Sequence, residues 1–335
     1  MDISVALCSY NGQEYLSEQL DSLVNQTRMP DEIVVLDDNS NDKTWAIIQD
    51  YKEMYPEIFK IHQNNSNLGV TKNFEACISA CRGDAIAICD QDDIWCEKKL
   101  KRQSAHLSPS KPMLVHHNSQ IVNKHKNPIQ GAWQSLGYSE PDVLAINEYF
   151  DHLVDRFSIP GHTMLLSDQL REYALPIPDC FTYDLYIALI ASMVGELYAM
   201  SDRLVYWRQH DEAASTRPAL SIADHGQQIL QSILRESSYE ENIEQWGVLE
   251  QKVNELASDL TGDAQDFRSS LDERYKYDSS RAKIYNSDSC IADRIAEVFA
   301  NTYNRRYWQI NGRQPSHLIM KDLFACIIKS IIKAN

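Results

Sequence analysis

Short apolar runs alternate with amphipathic stretches through the first 90 residues of the chain. The apolar runs predict buried strands over residues 3–8, 33–36, 59–62 and 85–89. Between them, apolar residues recur at helical spacing over residues 14–26, 42–55 and 70–80. This βαβαβαβ order predicts an α/β fold with a doubly wound, mostly parallel sheet that is covered by helices on both faces.

The remainder of the chain divides into a mixed part and a helical part. Strands are expected over residues 113–117, 163–166 and 203–207, and a helix over residues 184–194. Farther on, residues 222–234, 239–256 and 291–303 show helical periodicity without strand signals. We therefore expect an α/β domain over residues 1–216 and a helical C-terminal region over residues 217–335.

Polar clusters follow three of the four predicted parallel strands. They are Ser9 to Asn11 after the first strand, Asp37 to Ser40 after the second, and Asp90 to Asp93 after the fourth. In open α/β sheets, ligands bind beyond the carboxyl ends of the strands. The pattern therefore predicts a polar binding site at that edge of the sheet.

The turn after the fourth strand carries three carboxylates in four residues, Asp90, Asp92 and Asp93. These charges repel one another, and a divalent cation relieves the repulsion; oxygen ligands suit magnesium or manganese. A solvated acidic turn that caps the next helix explains this one turn equally well. The second acidic turn, Asp37-Asp38, favours the metal because the fold brings both turns to the same edge.

Composition narrows the class of ligand. The chain has 335 residues, of which 43% are hydrophobic and 24% charged, as in ordinary soluble globular proteins. A net charge of −16 argues against a general nucleic-acid-binding protein, which usually carries a basic excess. It is compatible with a nucleotide diphosphate, whose charge a metal ion can neutralise locally.

The N-terminal residues and the cysteines indicate the cellular compartment of the protein. The chain opens without a basic segment, and no apolar run approaches the roughly 20 residues that span a bilayer, so we expect no signal peptide and a cytoplasmic location. The eight cysteines are expected to be thiols, mostly buried.

Four segments together resemble a known family. They are CSYNG at 8–12, DDNS at 37–40, NLGVTKNF at 67–74 and DQDDIW at 90–95. In this order and spacing they resemble the family 2 glycosyltransferases with the GT-A fold, over roughly residues 1–216. The DQDDIW form and the later RQH at 208–210 are most similar to the bacterial rhamnosyltransferase-like members.

The resemblance implies a site for a nucleotide-sugar donor. Asp38 would accept a hydrogen bond from the nucleotide base, and Asp90 would lie near the ribose and the water shell of the metal. Asp92 would bind Mn²⁺ or Mg²⁺ directly, with His210 as a further ligand. Additional donor contacts are expected from Ser9, Asn11, Lys72 and Arg208; a solvated helix lysine is the alternative for Lys72, and an acceptor contact for Arg208.

The resemblance also implies a catalytic base at the head of a helix. Asp184 occupies that position, and an inverting transfer needs such a base to take the proton of the attacking hydroxyl. A plain capping aspartate is the alternative, since the helix dipole stabilises a carboxylate there. The commoner family pattern has His before and Trp after the base, where this chain has Tyr183 and Leu185.

A second segment, GHTM at 161–164, resembles the strand of small residues that walls the acceptor site in the family. Gly161 and Thr163 would then face the acceptor, and a glycine lets a ligand approach the backbone closely.

These observations predict an inverting, metal-dependent glycosyltransferase. The expected donor is dTDP-rhamnose or a UDP-sugar, and the expected acceptor is a saccharide or a lipid-linked molecule of bacterial surface polysaccharide synthesis. A sugar-nucleotide nucleotidyltransferase is one alternative, but it needs a loop rich in Gly, Arg and Lys after the first strand, where this chain has SYNGQE at 9–14. A catalytically inactive, nucleotide-sugar-binding relative is the other; the intact Asp92 and Asp184 argue against it.

The last 36 residues are basic, although the whole chain is acidic. Residues 300–335 hold six Lys or Arg against one acid, Asp322. An apolar stripe lies between the lysines and contains Leu318, Ile319, Phe324, Ile327, Ile328, Ile331 and Ile332. An amphipathic basic helix can lie on an anionic membrane, which predicts peripheral contact with the inner face of the cell membrane. A C-terminal helix that packs on the protein is the equally weighted alternative.

Overall fold

A computed structural model describes residues 1–135, 138–144, 149–154, 158–210, 237–285, 290–303, 319–326 and 329. The chain divides into two compact units, Met1–Thr216 with Asp259–Thr261 and Arg217–Ser258 with Gly262–Asn335. The catalytic and helical roles assigned above to residues 1–216 and 217–335 stay predictions. The helix predicted over residues 222–234 lies outside the described residues.

The first unit opens with the predicted alternation of strands and helices. The strands are β1 (Ile3–Ser9), β2 (Glu32–Asp37), β3 (Phe59–Gln63) and β4 (Ala85–Cys89), and the helices are α1 (Leu16–Val24), α2 (Thr44–Met54) and α3 (Val70–Ala80). β1 pairs in parallel with β2 and β4, and β2 pairs in parallel with β3. The predicted α/β architecture is therefore confirmed.

Helices cover both faces of these parallel strands. Side chains alternate between faces along a strand, and Val5 and Leu7 pack with Leu20 of α1 and Ile48 of α2 in one buried cluster. On the other face, Cys8 lies beside Cys77 of α3. Each fully buried Leu or Ile contributes about 1.5–3 kcal/mol through the hydrophobic effect, so this core fixes the strand ends that carry the polar turns.

The second half of the sheet is mixed. Five more strands, β5 (Ile94–Trp95), β6 (Met113–Asn123), β7 (Pro128–Gly131), β8 (Leu165–Ser167) and β9 (Glu196–Gln209), complete the order β3-β2-β1-β4-β8-β6-β9-β5, with β7 paired to β6. β8 is antiparallel to β4 and β6, whereas β9 is parallel to β6 and antiparallel to β5. Strand β5 follows directly on the acidic turn, so its pairing with β9 brings residues 205–206 next to that turn.

Three strand predictions in this half need correction. The strand expected over residues 203–207 begins seven residues earlier, at Glu196, and ends at Gln209. The strand expected over residues 163–166 begins at Leu165, because Gly161–Thr163 forms a 3-10 helix. β6 runs six residues beyond the expected 113–117. His116, His117, Asn118 and Ser119 interrupt the apolar pattern although they are all buried in the sheet, so hydrophobicity alone ends this strand too early.

Short helices complete the first unit. They are α4 (Lys99–Ser104), α5 (Ala132–Ser135), α6 (Glu140–Leu144), α7 (Tyr149–Val154), α8 (Asp168–Ala174) and α9 (Tyr183–Val194). The last of these confirms the helix predicted to begin near Asp184. In the part of the chain that the structure describes, every helix is too short or too polar to cross a lipid bilayer. All eight cysteines are thiols and five are buried, as predicted.

The second unit is helical in its described residues. It contains α10 (Ser237–Glu255), α11 (Ala264–Tyr285), α12 (Ile291–Tyr303) and helical residues within 319–326. Ile319 and Leu323 pack against a buried cluster that includes Ile284 and Val298. Inside this unit the buried Arg281 donates to Asp322 at 2.5 Å.

The described part of the C-terminal tail therefore divides between two environments. Ile319 packs inside the helical unit, which supports the packing alternative. Met320 and Phe324 are 60% and 58% exposed, which leaves one apolar strip on the surface. Leu318 and the isoleucines at 327, 328, 331 and 332 lie outside the described residues.

Candidate active site

The turns after β1 and β2 are joined by side-chain hydrogen bonds. The Ser9 hydroxyl donates to Asp37 Oδ1 at 3.0 Å, and the backbone N–H of Asn41 donates to Asn11 Oδ1 at 3.0 Å. Asn11 has φ +48°, in the left-handed region that asparagine tolerates better than most residues. Two residues predicted to line the donor site, Ser9 and Asn11, thus hold the edge of the sheet in shape.

The turn after β4 is joined to the same edge. The backbone N–H of Tyr10 donates to Gln91 Oε1 at 2.9 Å, and Gln91 Nε2 donates back to the Tyr10 carbonyl at 3.0 Å. A Cβ atom on Gly12 would lie 2.1 Å from Gln91 Oε1, so a larger residue there would displace the Gln91 side chain from these hydrogen bonds. The predicted meeting of the polar turns at one edge is present in the structure.

Asp38 is nearly buried and fixes the loop before α3. Its carboxylate accepts from the backbone N–H groups of Leu68 at 2.8 Å and Gly69 at 2.9 Å, and from Asn64 Nδ2 at 2.9 Å. These three donors set the orientation of the carboxylate. The contact between Asp38 and a nucleotide base stays a prediction.

Asp92 and His210 form a close pair at the surface of the edge. His210 Nε2 and Asp92 Oδ2 lie 3.0 Å apart, and their side chains are 8% and 20% exposed. The hydrogen bond that the protonated imidazole donates to Asp92 raises the pKa of His210. Two ligands at right angles on an ion with bonds of about 2.1 Å lie about 3 Å apart, so this pair fits one Mn²⁺ or Mg²⁺.

Arg208 is buried behind this pair and has protein partners. Its Nε donates to the Asp92 carbonyl at 3.0 Å, and a terminal nitrogen forms an ion pair with Glu18 at 2.5 Å. The guanidinium carbon lies 4.5 Å from the ring centre of Tyr15, against which the His210 ring also packs. Only 3% of the Arg208 side chain is exposed. Its predicted contact with a phosphate or an acceptor stays a prediction.

A second group of ionisable residues lies beneath the acidic turn. The ligand atoms of Asp90, Asp93 and His162 all lie within 4.8 Å of one another. His162 Nδ1 is 3.6 Å from Asp90 and 3.5 Å from Asp93. Burial raises the pKa of Asp93. Burial lowers the pKa of His162, but the carboxylates of Asp93 and Asp90 outweigh it and leave that pKa raised.

Lys99 adds a buried ammonium group to this cluster. Its Nζ donates to the His162 carbonyl at 2.9 Å and lies 3.3 Å from the ring centre of Trp95. Burial lowers the pKa of Lys99 to about 7. Sequence analysis missed the roles of Lys99, Asp93 and His162. The only available signal was the third acid of the turn, which needs a buried cationic partner once it is enclosed.

Asp184 and Tyr183 begin helix α9. The Asp184 carboxylate is half-buried and accepts from the backbone N–H of Leu185 at 2.9 Å. Burial raises the pKa of Asp184, as suits a group that must hold a proton during a reaction. Tyr183 stacks on Phe74 with ring centres 4.1 Å apart. The assignment of Asp184 as the base stays a prediction.

The predicted acceptor residues differ in what they can offer. Gly161 is buried, and a Cβ atom there would lie 2.1 Å from the Tyr183 hydroxyl oxygen. The Thr163 hydroxyl donates to the Pro160 carbonyl at 2.7 Å and is 1% exposed. Thr163 therefore presents its hydroxyl to its own turn, and its contact with an acceptor stays a prediction.

Lys72 is engaged by acids close to it. Its Nζ lies 3.0 Å from Glu75 and 2.9 Å from Asp179, and it donates to the Ile177 carbonyl at 2.7 Å. The side chain is 39% exposed. This arrangement is nearer to the alternative of a surface helix lysine, and the phosphate contact stays a prediction.

Comparison with known proteins identifies a family and several relatives of this chain. A family model described as Glycosyl transferase family 2 matches residues 4–172. An uncharacterized glycosyltransferase of a Nostoc species is 34% identical over 215 residues, which cover 63% of this chain and 65% of the relative. An uncharacterized protein of Mycobacterium tuberculosis is 39% identical over 107 residues, which cover 31% of each chain. The chain thus spans less than two thirds of the length of these relatives.

Solved structures show the same fold. The structure of Staphylococcus aureus TarS 1-349 in complex with UDP-GlcNAc has a TM-score of 0.54 at 17% identity, over 100% of this chain and 92% of that one. The mannosyltransferase PcManGT of Pyrobaculum calidifontis, in complex with GDP-Man and Mn²⁺, has a TM-score of 0.52 at 16% identity, over 98% and 86%. The predicted GT-A fold is confirmed, and this chain belongs to glycosyl transferase family 2.

Proposed function

We propose that residues 1–216 form the catalytic domain of an inverting, metal-dependent glycosyltransferase. The observation that carries the proposal is the pair of Asp92 and His210, whose ligand atoms lie 3.0 Å apart at the edge where the strand-end turns meet. The complexes of TarS with UDP-GlcNAc and of PcManGT with GDP-Man and Mn²⁺ support a nucleotide-sugar donor. Within that class we propose dTDP-rhamnose or a UDP-sugar.

Asp92 and His210 would hold the cation. A bound Mn²⁺ or Mg²⁺ would neutralise the charge that develops on the departing diphosphate. Asp90 is 32% exposed at the same turn, and His162 orients it from below. The turn is thus held by protein contacts before any ligand arrives, which lowers the cost of organising the site on binding.

Asp184 would act as the general base. It takes the proton of the acceptor hydroxyl while the bond from that oxygen to the anomeric carbon forms. The bond from the anomeric carbon to the diphosphate oxygen breaks, and its electron pair leaves with the diphosphate. The raised pKa of Asp184 makes it a stronger base than an exposed aspartate.

We further propose a saccharide or lipid-linked acceptor of bacterial surface polysaccharide synthesis, and action in the cytoplasm at the inner membrane face. The basic excess of residues 300–335 supports membrane contact, as do the exposed Met320 and Phe324. The packing of Ile319 within the helical unit limits how much of the tail can take part.

A thermal-shift screen of UDP, dTDP and GDP, each with and without Mn²⁺, tests the donor site. A ligand at a hundredfold excess over its Kd stabilises the protein by about 2.7 kcal/mol, so a true ligand gives a clear shift. Asp92→Ala should abolish the metal-dependent part of that shift, while the exposed Asp50→Ala on α2 should keep it. The proposal fails if no diphosphate shifts the wild-type transition.

The same preparation separates an active enzyme from a binding-only relative. Slow release of free sugar from a bound nucleotide sugar marks a working catalytic centre, and its loss in Asp184→Asn would assign that activity to the proposed base. Binding without any hydrolysis or transfer would favour the inactive relative.

A further inference from the structure

Tyr183 is a largely buried residue next to the proposed base, Asp184. The side chain is 7% exposed and lies flat on Phe74, with ring centres 4.1 Å apart and an angle of 26° between the rings. Its hydroxyl oxygen lies 2.1 Å from the point where a Cβ atom of Gly161 would stand. The ring is thus held between α3 and the 3-10 helix, and only a glycine at position 161 leaves room for it.

The neighbours of Tyr183 place it between the proposed base and the acidic turn that would bind the metal. Asp184, the proposed base, is the next residue, and His162, the residue after Gly161, lies 3.6 Å from Asp90 of the metal-binding turn. Burial, together with the charges of Asp90 and Asp184, raises the pKa of the Tyr183 phenol, so the hydroxyl stays protonated. It is therefore a permanent hydrogen-bond donor at this point.

No hydrogen bond of the Tyr183 hydroxyl is found within the described residues, and its oxygen is not among their fully buried side-chain atoms that lack a partner. The hydroxyl therefore keeps some access to solvent and can donate a hydrogen bond to water or to a ligand. A ligand oxygen that takes the place of that water preserves the hydrogen bond.

We propose that Tyr183 is a substrate-binding residue whose hydroxyl hydrogen-bonds the ring of the transferred sugar. This inference rests on the proposed function. In the transfer described above, the anomeric carbon lies between the diphosphate, which the cation at Asp92 holds, and the base, Asp184. A group fixed between Asp90 and Asp184 therefore faces the sugar ring, which presents hydroxyl oxygens as acceptors.

Calorimetric titrations in the presence of Mn²⁺ separate the contribution of the sugar to the binding affinity from that of the nucleotide. The probes are UDP, UDP-glucose, UDP-GlcNAc, dTDP, dTDP-rhamnose, GDP and GDP-mannose, and the quantity compared is the affinity ratio of each nucleotide sugar to its own diphosphate. Tyr183→Phe should lower this ratio about fivefold to tenfold for the preferred sugar, the range of one hydrogen bond, and leave diphosphate affinity unchanged. Gly161→Ala, which displaces the tyrosine ring, should lower the ratio in the same way.

A matched control lies on the same helix. Tyr186 is 2% exposed and packs on Phe181 with ring centres 5.2 Å apart, so Tyr186→Phe should leave the ratio at the wild-type value. An unchanged ratio in Tyr183→Phe overturns the inference, as does an equal loss of diphosphate and nucleotide-sugar affinity. The inference is also overturned if the wild-type protein binds every nucleotide sugar with the same affinity as the corresponding diphosphate. Failure of every diphosphate to bind refutes the proposed function itself.

Discussion

Replacement of Arg208 tests whether this residue positions the metal pair or contacts the donor. Arg208→Met keeps an unbranched apolar stem but removes the donor to the Asp92 carbonyl and the charge above Tyr15. The hydrogen bond from a charged group is worth about 1.5–3 kcal/mol, and the cation–π contact adds about 1 kcal/mol. Glu18 is 41% exposed, so solvent reduces that ion pair to about 0.5 kcal/mol.

The expected total loss of stability is therefore about 3–4.5 kcal/mol. The functional effect should be a weaker affinity for the cation, because Arg208 holds the backbone of Asp92 and packs on the same tyrosine ring as His210. Loss of a residue that orients metal ligands typically weakens metal affinity by about 10–100-fold. We expect a loss in this range when Mn²⁺ is titrated into Arg208→Met in the presence of UDP.

The same titrations distinguish the alternative of a phosphate contact. If Arg208 acts only through Asp92, UDP affinity at saturating Mn²⁺ should return to within about threefold of wild type. Glu18→Gln, which weakens the exposed pairs of this residue with Arg208 and Lys126, is the control and should change Mn²⁺ affinity by about twofold or less. Unchanged Mn²⁺ affinity with UDP affinity lost at saturating metal would refute the positioning argument and support direct contact with phosphate.

Three further predictions concern the base, the interior and the tail. Asp184→Asn should keep nucleotide-sugar affinity but lower turnover by about 10²-fold or more; wild-type turnover should rise with pH through the raised pKa of Asp184, and a flat profile would contradict the role of base. Burial lowers the pKa of His116 to about 3, whereas the pKa of an unfolded histidine is about 6.5. Protonation of the unfolded state should therefore lower the free energy of unfolding by about 2 kcal/mol when the pH falls from 7 to 5. Urea unfolding of His116→Gln should lack that increment, and Tyr149→Phe, which retains the imidazole, should keep it. Deletion after Gly312 should lower the melting temperature of the helical unit, because Ile319 packs in its core. Co-sedimentation of the full chain with anionic vesicles at low salt but not at high salt would support membrane contact. No sedimentation at low salt would exclude that contact.

The parallel half of the fold was predictable because its signals are local. In β1 to β4 the apolar runs are short and continuous, and the helices between them repeat their apolar residues at a different period. The predicted helix over residues 70–80 has the same bounds as α3, and β4 agrees equally well. The position of the acidic turns at one edge then followed from the topology of parallel strands alone.

The mixed half of the fold could not be fully predicted because its stabilising contacts join residues far apart in sequence. His116 and His117 are buried in β6, and local hydropathy gives no reason to place them there. Lys99 reaches the carbonyl of His162, 63 residues away, and Arg208 pairs with Glu18, 190 residues away. A single sequence shows only charged residues at these positions, and charged residues are usually found at the surface.

The acidic turn explains how the site can exist before a metal is bound. Three carboxylates in four residues would repel one another, yet each has a partner in the protein. His162 lies between Asp90 and Asp93, the backbone N–H of Arg208 donates to Asp93, and His210 pairs with Asp92. Of these acids Asp93 is fully buried, so its charge must be compensated by the protein. Asp92 differs, because its partner His210 lies nearer the surface, with 8% of its side chain exposed against 2% for His162. In the proposed function, a cation would replace the proton between Asp92 and His210 while the partners of Asp90 and Asp93 keep the turn in shape.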